Sequence, residues 1–171
     1  MFWQKKQVKK GWKKRVGMRC ETTNGDTFKY LLLYDVDYTN DDWENYNRNQ
    51  SLMEILHDFQ TSYLVYETLN GLHVVGLTPL DFEQWSSMLT ILKREIPEYY
   101  SGIIIRVSRK EGETQKLLSW NFDYPIIPNL IEIYAKRLFQ GTPIEFYESF
   151  QKQFIVNDKW RLVFEKYWSM K

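Results

Sequence analysis

The sequence predicts an α+β fold, a βαββαβ core followed by helices, and three observations lead to it. An apolar run beginning at Tyr30 alternates as a strand does and closes on Asp35-Val36-Asp37. Two further apolar runs flank Asn70-Gly71, a turn dipeptide typical of hairpins. Segments with apolar residues at helical spacing separate these strands from one another.

Taken in order, residues 27–37 read as the first strand. Residues 49–59 carry Leu52, Ile55, Leu56 and Phe59 at helical spacing, with Ser51 as a cap near the start. Residues 62–67 and 72–77 form the hairpin strands. Pro79 opens a second helix reaching about residue 95, with Phe82, Trp85, Leu89 and Leu92 on its apolar stripe. Residues 103–108 are the next strand, and Lys110-Glu111-Gly112-Glu113 turns into a short strand near 115–121. Beyond Pro128 the pattern reads as helices over 129–140, 143–153 and about 158–169, with Gly141 and Asn157 as breaks. The order β-α-β-β-α-β is that of a split βαβ, ferredoxin-like or RRM-like unit. It places the first strand between the third and fourth, antiparallel to both.

A chain of 171 residues suits one compact domain. Its parts read as a basic N-terminal arm (1–24), an RRM-like core (25–126) and a C-terminal helical subdomain packed on it (127–171). No apolar run is long enough for a transmembrane helix, and the first residues lack the apolar stretch of a secretory signal. Cys20 stands alone, which excludes an internal disulfide framework or a cysteine-based zinc site. The expected setting is intracellular, in the cytoplasm or in a host cell if the protein is viral, with no membrane partner.

The net charge of +1 hides an asymmetry. Residues 1–20 hold eight basic side chains and no acidic ones, leaving fifteen basic against 22 acidic residues, a net of −7, in the remainder. Such an arm can neutralise phosphates, with Lys9, Lys10, Lys13, Lys14 and Arg15 supplying charge and Trp12 a stacking surface. A solvated, solubilising terminus explains the same charges.

The chemistry concentrates on the first strand. Period two puts Asp35 and Asp37 on one face, where like charges repel unless a cation or hydrogen-bond donors offset them. Hard oxygen ligands suit magnesium or manganese beside a phosphate substrate, although solvated turn aspartates are the plainer explanation. In the expected topology His73, at the start of the third strand, lies beside the aspartates, and Glu98 precedes the fourth strand at the same edge. Ile104, Arg106 and Ser108 share a face, and Lys110 follows. Arg106 lies between apolar residues and needs an anion or an acidic partner, for which a salt bridge to Asp35 would also serve. Metal-bound carboxylates with cationic neighbours suit a nucleoside triphosphate.

Leu33-Tyr34-Asp35-Val36-Asp37 resembles the first motif of the archaeo-eukaryotic primase superfamily, an apolar strand ending in two acids separated by one residue. Residues 67–75, with Gly71 and His73, resemble its second motif, and residues 104–110 are similar to its basic segment. The resemblance covers about residues 30–110. It implies an RRM-like core that makes or extends primers on a DNA template from nucleoside triphosphates, with Mg²⁺ or Mn²⁺. Asp35 and Asp37 would then be metal ligands, and His73, Arg106, Ser108 and Lys110 phosphate contacts. The family's third catalytic aspartate has no clean match, and Glu98 is the nearest carboxylate. Where the family has a small polar residue two positions before the histidine, this chain has Gly71. A divergent member is expected, working with a helicase or other replication proteins and of a size that suits a virus or plasmid. The alternatives are a catalytically inactive primase-like protein that binds nucleic acid, as a replication initiation or accessory factor, and an interaction protein docking through its C-terminal helices.

Overall fold

The computed structural model describes residues 12–96, 99–101, 104–106, 115–127, 130 and 160–169. Among these residues the chain forms two antiparallel sheets and two helices.

The first sheet is organised by β1 (Lys13–Asn24), a twelve-residue strand. Gly25, at φ +60°, and Asp26 connect it to β2 (Thr27–Tyr30); only a residue free to take positive φ suits this tight hairpin. β7 (Ile104–Arg106) pairs with β1 from Gly17 to Arg19, and β9 (Arg161–Ser169) pairs with β1 from Lys13 to Met18 and again at Thr22 and Thr23.

The second sheet runs β6-β3-β5-β4-β8. Its strands are β3 (Leu33–Asp37), β4 (Tyr63–Thr68), β5 (Gly71–Gly76), β6 (Tyr99–Ser101) and β8 (Lys116–Asn121). β3 lies between β5 and β6, antiparallel to both. Helix α1 (Asp42–Asp58) connects β3 to β4, and α2 (Phe82–Glu95) connects β5 to β6.

Two apolar layers enclose this sheet. Tyr34, Val36, Val65, Leu72 and Val74 pack with Leu52 and Leu56 of α1 and Met88, Leu89 and Leu92 of α2. The alternate residues, Leu33, Leu64 and Val75, pack with Met18 and Cys20 of β1 and with Phe122, Ile126, Ile127 and Leu130. Leu31, Leu32 and Leu33 are all fully buried, because the chain there passes from one sheet to the other with apolar groups on every side.

Several expectations are corrected. The strand read as 27–37 divides at Leu31-Leu32, where Leu31 N–H donates to Cys20 C=O and the two pieces enter different sheets. The strand read as 103–108 is described at Ile104–Arg106, which pairs with β1; the strand that pairs with β3 lies just before it, at Tyr99–Ser101. The first helix begins seven residues earlier than its apolar spacing indicates, at Asp42. Asp41 caps it by accepting from the N–H groups of Trp43 and Glu44. The second helix begins at Phe82, with Asp81 and Gln84 forming a capping box.

The C-terminal segment expected to be helical near 158–169 is instead strand β9, whose apolar and aromatic residues pair along β1. The helices expected over 129–140 and 143–153 lie outside the described residues, except Leu130, which is buried. Residues 13–24, read as part of a basic arm, form the strand to which three others pair.

Cys20 is only 2% exposed, and burial, followed by the charge of Glu21, pushes its thiol from 9.0 up to about 11. The fold therefore favours the neutral thiol. The associated stability is fully present below pH 9 and is lost as pH rises towards 11. Native protein should resist a chromogenic thiol reagent at mildly alkaline pH and react with one equivalent once denatured. Fast labelling of the native protein would contradict this burial.

Candidate functional site

Cross-strand register assembles the site. Asp35 lies opposite His73, and His73 lies opposite Tyr66, so the three share one row across β3, β5 and β4. This row is on the face opposite the helices, one step beyond the buried row of Leu33, Val75 and Leu64. The apolar cover ends here: Asp35 is part-exposed, and Asp37, on the same face, is exposed.

His73 is held on both sides. Its Nε2 lies 3.0 Å from Asp35 Oδ1, and its Nδ1 lies 3.1 Å from the Tyr66 hydroxyl. The Tyr66 and His73 ring centroids are 5.0 Å apart. Asp35 Oδ1 is shielded from solvent, yet among the described residues no aligned donor reaches it. The contact with His73 is therefore one of proximity, not an aligned N–H···O bond. With both nitrogens engaged by protein groups, His73 is a poorer phosphate donor than the resemblance implies.

The exit from β3 is pinned by α1. Arg48 Nη2 donates to the Asp37 carbonyl at 2.6 Å and to Asn45 Oδ1 at 3.0 Å. Asn45, 8% exposed, accepts from Thr39 N–H and donates to Thr39 C=O, each at 2.8 Å. Tyr38 donates to Glu67 and accepts from Asn49, and its phenol is pushed up to about 12, by burial first and by the Glu67 hydrogen bond second. A short loop carrying polar residues is thus held in one conformation, which fixes where Asp37 stands.

Gly71 is opposite Asp37. A Cβ at Gly71 would lie 1.9 Å from the Val36 carbonyl oxygen, so only glycine permits β5 to approach β3 this closely.

Of the residues expected from sequence, Asp35 and His73 are in contact, and Asp37 lies on the same face one alternation further along β3. Arg106 does not share their sheet: β7 pairs it with Gly17 of β1. The backbone places Lys13, Lys14 and Arg15 in β1 opposite Ser169, Trp168 and Tyr167, and Trp12, just before it, is half-buried. Glu98, Ser108, Lys110, Lys9 and Lys10 lie outside the described residues. Among the described residues, no three His, Cys, Asp or Glu side chains gather into a ready-made metal cage. A cleft of about 300 Å³ lined by His57, Tyr63, Ser119, Asn121 and Asp123 lies towards the other end of β4 and includes none of the row.

Sequence reasoning missed Tyr66, Asn45 and Arg48. The hairpin turn is Leu69-Asn70, with Thr68 opposite Gly71, and this register pairs Tyr66 with His73. Placing the turn one residue later, at Asn70-Gly71, hides that pairing. Reading Asp41 as a helix cap would have brought Asn45 and Arg48 onto one helix face.

No protein-family profile, curated protein or solved structure matches this chain.

Proposed function

We propose that this chain is a primase-like nucleotidyltransferase on an RRM-like, ferredoxin-like core, joining nucleotides from nucleoside triphosphates on a DNA template during replication. The observation that carries this reading is the Asp35–His73 pair on the open face of a central strand, with Asp37 beside it. The order β6-β3-β5-β4, with a helix after β3 and another after β5, supports it, being the order of a split βαβ unit.

In this reading Asp35 and Asp37 hold Mg²⁺ or Mn²⁺. Their oxygens suit such an ion in kind, and Asp35 Oδ1 is a buried carboxylate oxygen that lacks an aligned donor. The ion, when bound, neutralises charge on the triphosphate. The chain's own residues do the rest. Arg48 and Asn45 fix the loop that follows Asp37, and Tyr66 and Asp35 orient His73. Arg106, Ser108 and Lys110 are assigned to the phosphates. Glu98 is assigned as the third acid, and the basic residues near the N-terminus, Lys9 to Arg15, to the template. A helicase or other replication proteins are the partners such an enzyme would need.

The test is incorporation of labelled nucleotide on single-stranded and primed DNA with Mg²⁺ or Mn²⁺. Wild-type protein should extend or initiate strands, and Asp35→Ala with Asp37→Ala should abolish the signal. Wild-type protein that incorporates nothing on any template overturns the enzyme reading. A salt-sensitive shift of DNA without incorporation would then favour the inactive, nucleic-acid-binding alternative.

A further inference from the structure

We propose that His73 is itself a metal ligand, and that Asp35 and His73 together form a site selective for first-row transition dications over Mg²⁺. The inference deepens the function proposed above and rests on that reading for the ion's use, not for its binding.

Three observations carry it. First, Asp35 Oδ1 and His73 Nε2 are 3.0 Å apart without the alignment of a hydrogen bond. Two donors each about 2.1 Å from one ion, at a right angle, stand roughly 3.0 Å apart. Second, the Tyr66 hydroxyl lies 3.1 Å from Nδ1. A proton on Nδ1, donated to the Tyr66 oxygen, leaves the lone pair of Nε2 directed at the carboxylate side. A carboxylate oxygen and a ring lone pair at this distance repel unless positive charge joins them. Third, Asp37 is exposed on the same face, one alternation further along β3, where it can act on the ion directly or through water.

The donor set decides the ion. Carboxylate and water alone suit magnesium, whereas an imidazole nitrogen shifts preference towards later metals, with Mn²⁺ below Co²⁺ in affinity. With two protein donors at close range, water and phosphate oxygens complete the coordination sphere.

The experiment uses the full-length chain, freed of metal, titrated with Mn²⁺ and followed by the electron paramagnetic resonance of the free ion. Co²⁺ is titrated in parallel and followed by its visible absorption, and Mg²⁺ is added as competitor. One Mn²⁺ site is expected, poorly displaced by a tenfold excess of Mg²⁺, with a Co²⁺ spectrum showing a nitrogen ligand. His73→Gln and Asp35→Asn should each weaken Mn²⁺ binding at least about tenfold, and Tyr66→Phe by about tenfold, through the lost support of the ring. Selective paramagnetic broadening of the His73 ring resonances in wild-type protein provides a readout that needs no variant to fold. The proposal is overturned by absence of a stoichiometric Mn²⁺ site, by equal affinity in His73→Gln, or by Mg²⁺ binding as tightly as Mn²⁺. Mn²⁺ held through His73 without any nucleotide incorporation would leave the inference standing and remove the enzyme. Incorporation with metal affinity indifferent to His73 would do the reverse.

Discussion

Replacing Gly71 with alanine should destabilise the protein by about 3 kcal/mol or more, at the upper end of what overpacking causes. The added methyl would meet the Val36 carbonyl oxygen at 1.9 Å and its carbon at 2.9 Å. Both are backbone atoms, so no side-chain rotation relieves the clash. β5 must move away from β3, and the bonds that place His73 opposite Asp35 go with it. A urea titration should show a lower midpoint, and the surviving folded fraction should bind Mn²⁺ more weakly. An unchanged midpoint would mean that β3 and β5 do not pair in this register.

The second large effect is expected at Tyr34, on the helix side of the same strand. Its ring is 1% exposed among residues of both helices, and its hydroxyl donates to the Ile96 carbonyl at 2.8 Å, just past the end of α2. Tyr34→Ala should cost about 3–5 kcal/mol, the range for emptying a buried aromatic position. Tyr34→Phe keeps the packing and removes one buried hydrogen bond, with an expected loss of about 1–2 kcal/mol. Equal losses in the two variants, measured by denaturant titration, would show that the ring contributes nothing beyond its hydroxyl. The comparison separates packing from hydrogen bonding at a strand whose opposite face carries the candidate site.

What the sequence revealed depends on how each segment is solvated. The hairpin of β4 and β5 was legible as two short apolar runs, buried on both faces, on either side of a turn dipeptide, and the helix α2 because its apolar residues recur at helical spacing against one buried layer. The first two turns of α1 were not. Residues 42–48 are mostly exposed and polar, and only the Asp41 cap announces them. β9 was misread because the short apolar run around Leu162 to Trp168 suits a helix stripe as well as a strand, and only its long partner β1 decides between them. Lysines obscured β1 itself, although Met18, Cys20 and Thr22 alternate inward along it.

The site was half legible. Alternation alone placed Asp35 and Asp37 together, and strand order brought His73 to them. Arg106 was misplaced because residues 99–106 contribute to two sheets, a change of partner that local pattern does not encode. Tyr66 reads as an ordinary strand tyrosine until the hairpin register is known.

The strand from Lys13 to Asn24 carries four of the positive charges near the N-terminus and also forms the ladder on which β2, β7 and β9 rest. Trimming the polypeptide beyond residue 13 would therefore strip three neighbours of their common backbone partner. Affinity lost by such a shortened chain would report collapse of that scaffold, whereas lysine-to-glutamine exchanges would isolate the contribution of charge.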